Sequence, residues 1–122
     1  MALYKLEEFK SLVRSDECYC FNTSRANRTI EKLEWDDADF SKMLCGLAPS
    51  DFQKTVARCK VNDLQGYSVV NADQYEIHWD EDNGVRRNHP GNGTVSLSLK
   101  IAIVCDDQGT CAGVVTFHIS SF

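Results

Sequence analysis

Glu76 and His78 lie two residues apart, so an extended strand sets this carboxylate and imidazole on one face and Tyr75, Ile77 and Trp79 on the other. The same alternation returns downstream. Ser96, Ser98 and Lys100 share one side of the run Thr94–Val104, and Val95, Leu97, Leu99, Ile101 and Ile103 share the opposite side. In the last run, Val115, Phe117 and Ile119 alternate with Val114, Thr116, His118 and Ser120. If these strands are neighbours that bury their apolar side, then Glu76, His78, Ser98, Lys100 and His118 meet on one surface. Such a set suits cleavage of RNA by internal transfer. A base takes the 2′-hydroxyl proton, an acid protonates the departing 5′-oxygen, and a cation stabilises the crowded phosphate, with no metal required. Histidine titrates near neutrality and serves either proton-transfer role. A plainer explanation covers the same residues, because the wet side of any antiparallel sheet carries Ser, Thr, Lys and His.

Other chemistry is weakly signalled. Cys18 and Cys20 are separated by one residue, short of the two to four usual in a zinc knuckle, and no second such pair follows. Cys105 and Cys111 flank the turn Asp106–Thr110 and could face each other across it, although reduced thiols are the expected state in a reducing compartment. A Gly-rich phosphate loop, an H-E-x-x-H helix and a nucleophile elbow are all missing, which removes kinase, zinc-protease and esterase readings. Neither a metal nor a cofactor is expected.

The elements that must position these residues change character midway. Leu6, Phe9, Leu12 and Val13 recur at helical spacing and predict a helix over Leu3–Val13. Ala26, Ile30 and Leu33 predict a second, with Asn22, Thr23 or Ser24 as its cap. Asp36 and Asp37 open a third, in which Phe40, Met43, Leu44 and Leu47 face inward and Gly46 and Pro49 help end it. Ser50 caps a last short helix, Asp51 to about Arg58, with Phe52 and Val56 on its buried side. From Gly66 onward the period is two: Tyr67 and Val69 and then Tyr75–Trp79 mark strands, and Thr94–Val104 pairs antiparallel with the run ending at Ser120. Asp80–Gly93, rich in Asn, Gly and Pro, reads as a long loop. The fold class is therefore α+β, with N-terminal helices packed on a C-terminal antiparallel sheet.

At 122 residues and 43% hydrophobic content, the chain suits one domain over 1–122 with its own core. Thirteen basic residues face eighteen acidic ones, and neither half is basic, which disfavours non-specific nucleic-acid binding and confines any RNA contact to a local patch. Arg86, Arg87 and His89 are the candidates for that patch. Glu7 and Glu8 interrupt the N-terminal stretch where a secretion signal needs an unbroken apolar run, and no stretch has the length of a membrane span, so a cytoplasmic location without membrane attachment is expected. Six cysteines and N-x-[ST] triplets beginning at Asn22, Asn27 and Asn92 leave a secreted, disulfide-bonded alternative open.

The segment GLAPSDFQKTV, Gly46–Val56, resembles the MqsR family of bacterial toxins at Gly46, Leu47, Ser50, Asp51, Phe52, Lys54 and Thr55. Glu8–Val13, Thr29–Leu44, Tyr75–Trp79, Gly93–Ile101 and Val114–Ser120 are similar in order to the family's further helices and strands, so the resemblance spans nearly the whole chain. It implies a RelE-like α+β fold, ribosome-independent cleavage of messenger RNA at short motifs, and a zinc-binding antitoxin as protein partner. The family's helix lysine falls on Lys54. Its strand glutamine falls on Glu76, its strand tyrosine on Ser98 or Ser96, and its C-terminal lysine on His118, so three of these four positions depart from the pattern. Two expectations follow. One is a metal-independent mRNA endoribonuclease, with Glu76 as base, His118 or His78 as acid, and Lys54 with Lys100 at the phosphate. The other is a catalytically silent RelE-like module that binds a protein partner.

Overall fold

The computed structural model describes residues 2–20, 23–60, 69–106 and 109–120. In chain order these form α1 (Leu6–Arg14), β1 (Cys18–Cys20), α2 (Thr23–Leu33), α3 (Asp37–Cys45), a 3₁₀ turn (Pro49–Asp51), β2 (Phe52–Lys60), β3 (Val69–Asp80), β4 (Val85–Arg87), β5 (Thr94–Asp106) and β6 (Gly109–Ile119). The expected strand residue Tyr67 and the candidate cap Asn22 lie outside the described residues.

The helices form where the apolar spacing requires them. The first starts at Leu6 rather than Leu3: Lys5 is extended, and ahead of it the Leu3 and Tyr4 backbone N–H groups donate to the Asp73 carboxylate at 3.0 and 2.8 Å. Both α1 and α2 end in Schellman turns closed by non-glycine residues. Glu17 N–H donates to Leu12 O and Asp16 N–H to Val13 O; Trp35 N–H donates to Ile30 O and Glu34 N–H to Glu31 O. Asp16 and Glu34 accordingly sit at φ +59°, a left-handed conformation that costs an L residue about 1–2 kcal/mol. At α3, Asp36 accepts from Asp39 N–H while the Asp39 side chain accepts from Asp36 N–H, a complete capping box.

The sheet runs β1-β6-β5-β3-β2, with β4 paired to the distal half of β3 on the edge that β2 occupies at its other half. All pairings are antiparallel except β1 with β6. One face meets the helices: Tyr75, Ile77, Leu97, Leu99, Ile101, Val114 and Phe117 pack with Phe9, Met43, Leu44 and Leu47. Ile77, Leu97 and Leu99 are fully buried, and each such side chain contributes about 1.5–3 kcal/mol. Phe117 sits between Phe40, edge-on at 5.0 Å, and Trp35, stacked at 6.1 Å. Gly46 permits the end of α3 to close on the sheet, since a Cβ there would lie 2.8 Å from Trp79 Cζ3.

Three expectations change. Asp51–Arg58 is not a helix: the Asp51 carboxylate caps the 3₁₀ turn by accepting from Ala48 N–H at 2.8 Å, and β2 then pairs with β3. Phe52 and Val56 are too thin an apolar stripe to hold a helix, whereas pairing along β3 satisfies the backbone and sets Phe52 edge-on to Tyr75 at 5.6 Å. The segment Asp80–Gly93 is not loop throughout, since Asp80 turns the chain by accepting from Asn83 N–H at 3.1 Å and β4 follows. In β6 the single alternation breaks at a bulge opposite Lys100 and Ile101. Val114 joins the helix-side core, and Val115 joins a second apolar cluster with Val70, Ala72, Ala102 and Val104.

Candidate functional site

Because Tyr75, Ile77 and Trp79 face the helices, the alternate residues of β3 face the other way, and register carries that side across the sheet. Three cross-strand rows result. Glu76 pairs with Ser98, which pairs with His118. In the next row Lys54 pairs with Gln74, Gln74 with Lys100, and Lys100 with Thr116. On the other side of the Glu76 row, Arg87 pairs with His78 and His78 with Ser96. Lys54, Glu76, His78, Ser98, Lys100 and His118 thus share one face.

The side chains are partly organised. Ser120 Oγ donates to Glu76 Oε1 at 3.0 Å, which draws the carboxylate from β3 across β5 toward the strand that carries His118. His78 Nδ1 lies 2.8 Å from Ser96 Oγ. Ser98 is buried at the floor between Glu76 and His118; Glu76, His78 and Lys100 are half-buried, and His118 and Lys54 are exposed. The backbones of Glu76 and His118 are two strand spacings apart, about 9–10 Å. Thr116 Oγ1 is buried with no hydrogen-bond partner among the described residues.

The arginines are committed elsewhere. Arg86 donates through Nε and Nη2 to Asp51 at 2.7 and 2.8 Å, with Ser50 and Asn88 also in reach, and this pairing raises its pKa. It is register-paired with Trp79 and so belongs to the helix side of the sheet. Arg87 donates to Asp80 at 2.8 Å on the Glu76 side. Asp80 also accepts from the Asn83 side chain, and chiefly this bond, then Arg87, holds its carboxyl down to about 2. His89 is exposed beyond β4. Gln74, two residues from Glu76, also belongs to this face, and Ser120 reaches Glu76, neither of which is among the residues expected from sequence. Cys105 and Cys111 do not face each other, since they pair with Thr110 and Val104 and so point to opposite faces.

Among the described residues no helix is long and apolar enough to cross a membrane. No family model, no curated protein and no solved structure matches the chain.

Proposed function

We infer that the chain is a metal-independent endoribonuclease that cleaves messenger RNA by 2′-hydroxyl transfer across the Glu76–Ser98–His118 row. The observation that carries this reading is the Ser120–Glu76 hydrogen bond, 3.0 Å, which aims a carboxylate toward the His118 strand on a face that also bears Lys54 and Lys100. Glu76 Oε1 is held by Ser120, and Oε2 takes the 2′-hydroxyl proton. The 2′-oxygen attacks phosphorus, the phosphorus–5′-oxygen bond breaks, and protonated His118 gives its proton to the 5′-oxygen. Lys100 and Lys54 offset the charge that builds on the phosphate. The product is a 2′,3′-cyclic phosphate and a 5′-hydroxyl.

The resemblance to MqsR toxins supports the same chemistry, a RelE-like ancestry and an antitoxin protein as partner. In this reading Glu76 and His118 replace the family's glutamine and lysine with a carboxylate base and an imidazole acid, and Lys54 acts from a strand instead of a helix. The test is incubation of purified protein with a mixed RNA pool in a chelator, followed by end-group analysis. A second reading, a silent RelE-like module that binds a protein, is favoured by one observation: Arg86 and Arg87 are each tied to an acid in a chain of net charge −5. Under that reading RNA is neither cut nor bound.

A further inference from the structure

A cavity of about 380 Å³ opens where the end of α2, the start of α3 and the β3–β4 turn meet, on the opposite side of the sheet from Glu76 and His118. Its walls include Trp35 and Trp79, and its rim carries Glu34, Asp39, Glu81 and Asp82 against a single cation, Lys42. The geometry points to a binding site for an organic cation, an ammonium or guanidinium on a short aliphatic stem.

The aromatic walls are held in place before any ligand arrives. The Schellman turn at Glu34 delivers Trp35 onto Phe117, stacked at 6.1 Å, and the Trp35 indole N–H donates to Glu81 Oε1 at 3.2 Å. That bond orients the carboxylate beside the ring. Trp79 is 4% exposed and wedged against Gly46, so it forms the floor, and half-buried Trp35 is the ring a ligand meets. A cation over an indole face gains from the ring's electron distribution, and carboxylates at the rim add to the attraction. Anions meet four carboxylates here and are repelled. Lys42 already lies across one wall, since a Cβ on Gly84 would fall 2.6 Å from its Nζ. The protein's own ammonium therefore occupies part of the space a ligand would take. The volume is at the small end for ligand sites and suits a side-chain-sized group. A free polyamine and a Lys or Arg side chain of a peptide share this chemistry.

The chain has two tryptophans and both line the cavity, so intrinsic fluorescence reads it directly. The protein is titrated at matched ionic strength with spermidine, agmatine, capped Gly-Lys-Gly and capped Gly-Arg-Gly peptides, and n-butanol as the neutral control. A saturable change is expected for the cations only, at a Kd on the order of 1 mM, with salt weakening it. Glu81→Gln and Asp82→Asn each weaken binding roughly 2- to 5-fold, and Lys42→Met strengthens it by a similar factor by removing the competing ammonium. Tighter binding of the free amines assigns a small metabolite, and tighter binding of the peptides assigns a basic segment of a protein. An absent signal, an equal response to n-butanol, or weaker binding in Lys42→Met overturns the assignment. These readouts need no RNA and stand apart from the cleavage assay.

Discussion

Glu76 and His118 stand on the same sheet face with Ser98 register-paired to both, and Ser120 holds the Glu76 carboxylate toward the His118 strand. If the two share one reaction, Glu76→Gln and His118→Ala each lower single-turnover RNA cleavage by about 10²- to 10⁴-fold. The double variant is little worse than either single one, because base and acid act as a unit. Circular dichroism and thermal midpoints should barely change, since His118 is exposed and Glu76 half-buried. Additive losses would mean the two groups act separately.

Lys54 and Lys100 flank Gln74 in the adjacent row, and the proposed reaction gives both an electrostatic role. Lys100→Ala and Lys54→Ala are expected to cost roughly 10- to 100-fold in kcat/KM, with Lys→Arg recovering most of the loss. Initial rates on a short oligoribonucleotide measure this. Failure of arginine to rescue would argue against a simple charge role.

Asp51 is 4% exposed and accepts from Ala48 N–H and from Arg86 Nε and Nη2, so it ties the 3₁₀ turn to β4. Asp51→Ala removes a charge-assisted fork and leaves Arg86 without its partner, at about 2–4 kcal/mol. Arg86→Lys recovers only part of the stability lost in Arg86→Ala, because an ammonium cannot make the paired bonds of a guanidinium. Urea unfolding decides it; equal midpoints for the wild type and Asp51→Ala would contradict this account.

The Asp73 carboxylate is fully buried and accepts from Leu3 N–H, Tyr4 N–H and Thr55 Oγ1. Removing residues 1–4 strips two of these donors from a buried charge. The truncated chain should be about 2–4 kcal/mol less stable, and Asp73→Asn in the truncated chain should cost less than in the full one. Urea midpoints of the four proteins close the cycle.

Asp80 supplies the pH dependence with a clear sign. Its folded carboxyl is held at about 2 against an ordinary 3.8, first by the Asn83 side chain and then by Arg87. A carboxyl depressed in the folded state stabilises above its unfolded value, and that contribution disappears as pH falls through the folded one. Stability should therefore drop between about pH 5 and pH 2 more steeply in the wild type than in Asp80→Asn. Parallel pH profiles would remove Asp80 from the account.

What was legible in the sequence followed from strong local periods. Val95, Leu97, Leu99 and Ile101 alternate without interruption, and β5 is where they stand. Asp36 and Asp37 are acids placed to open a helix, and α3 begins there. The composition of the Glu76 face was legible for the same reason, since a spacing of two fixes a shared side once a strand exists. Register was not, because the alignment of Glu76 with Ser98 and His118 is set by long-range pairing. Phe52 and Val56 are spaced four apart, which fits a helix turn, but pairing with β3 outweighs so weak a local pattern. The same limit hid the partners of Arg86, whose Asp51 lies 35 residues away.

The most direct measurement is the end-group analysis of RNA incubated with the purified protein in excess chelator. Fragments ending in 2′,3′-cyclic phosphate are expected from the wild type, and about 10²-fold fewer or less from Glu76→Gln or His118→Ala. Intact RNA at high protein concentration, or equal fragment yield from all three proteins, would contradict the account.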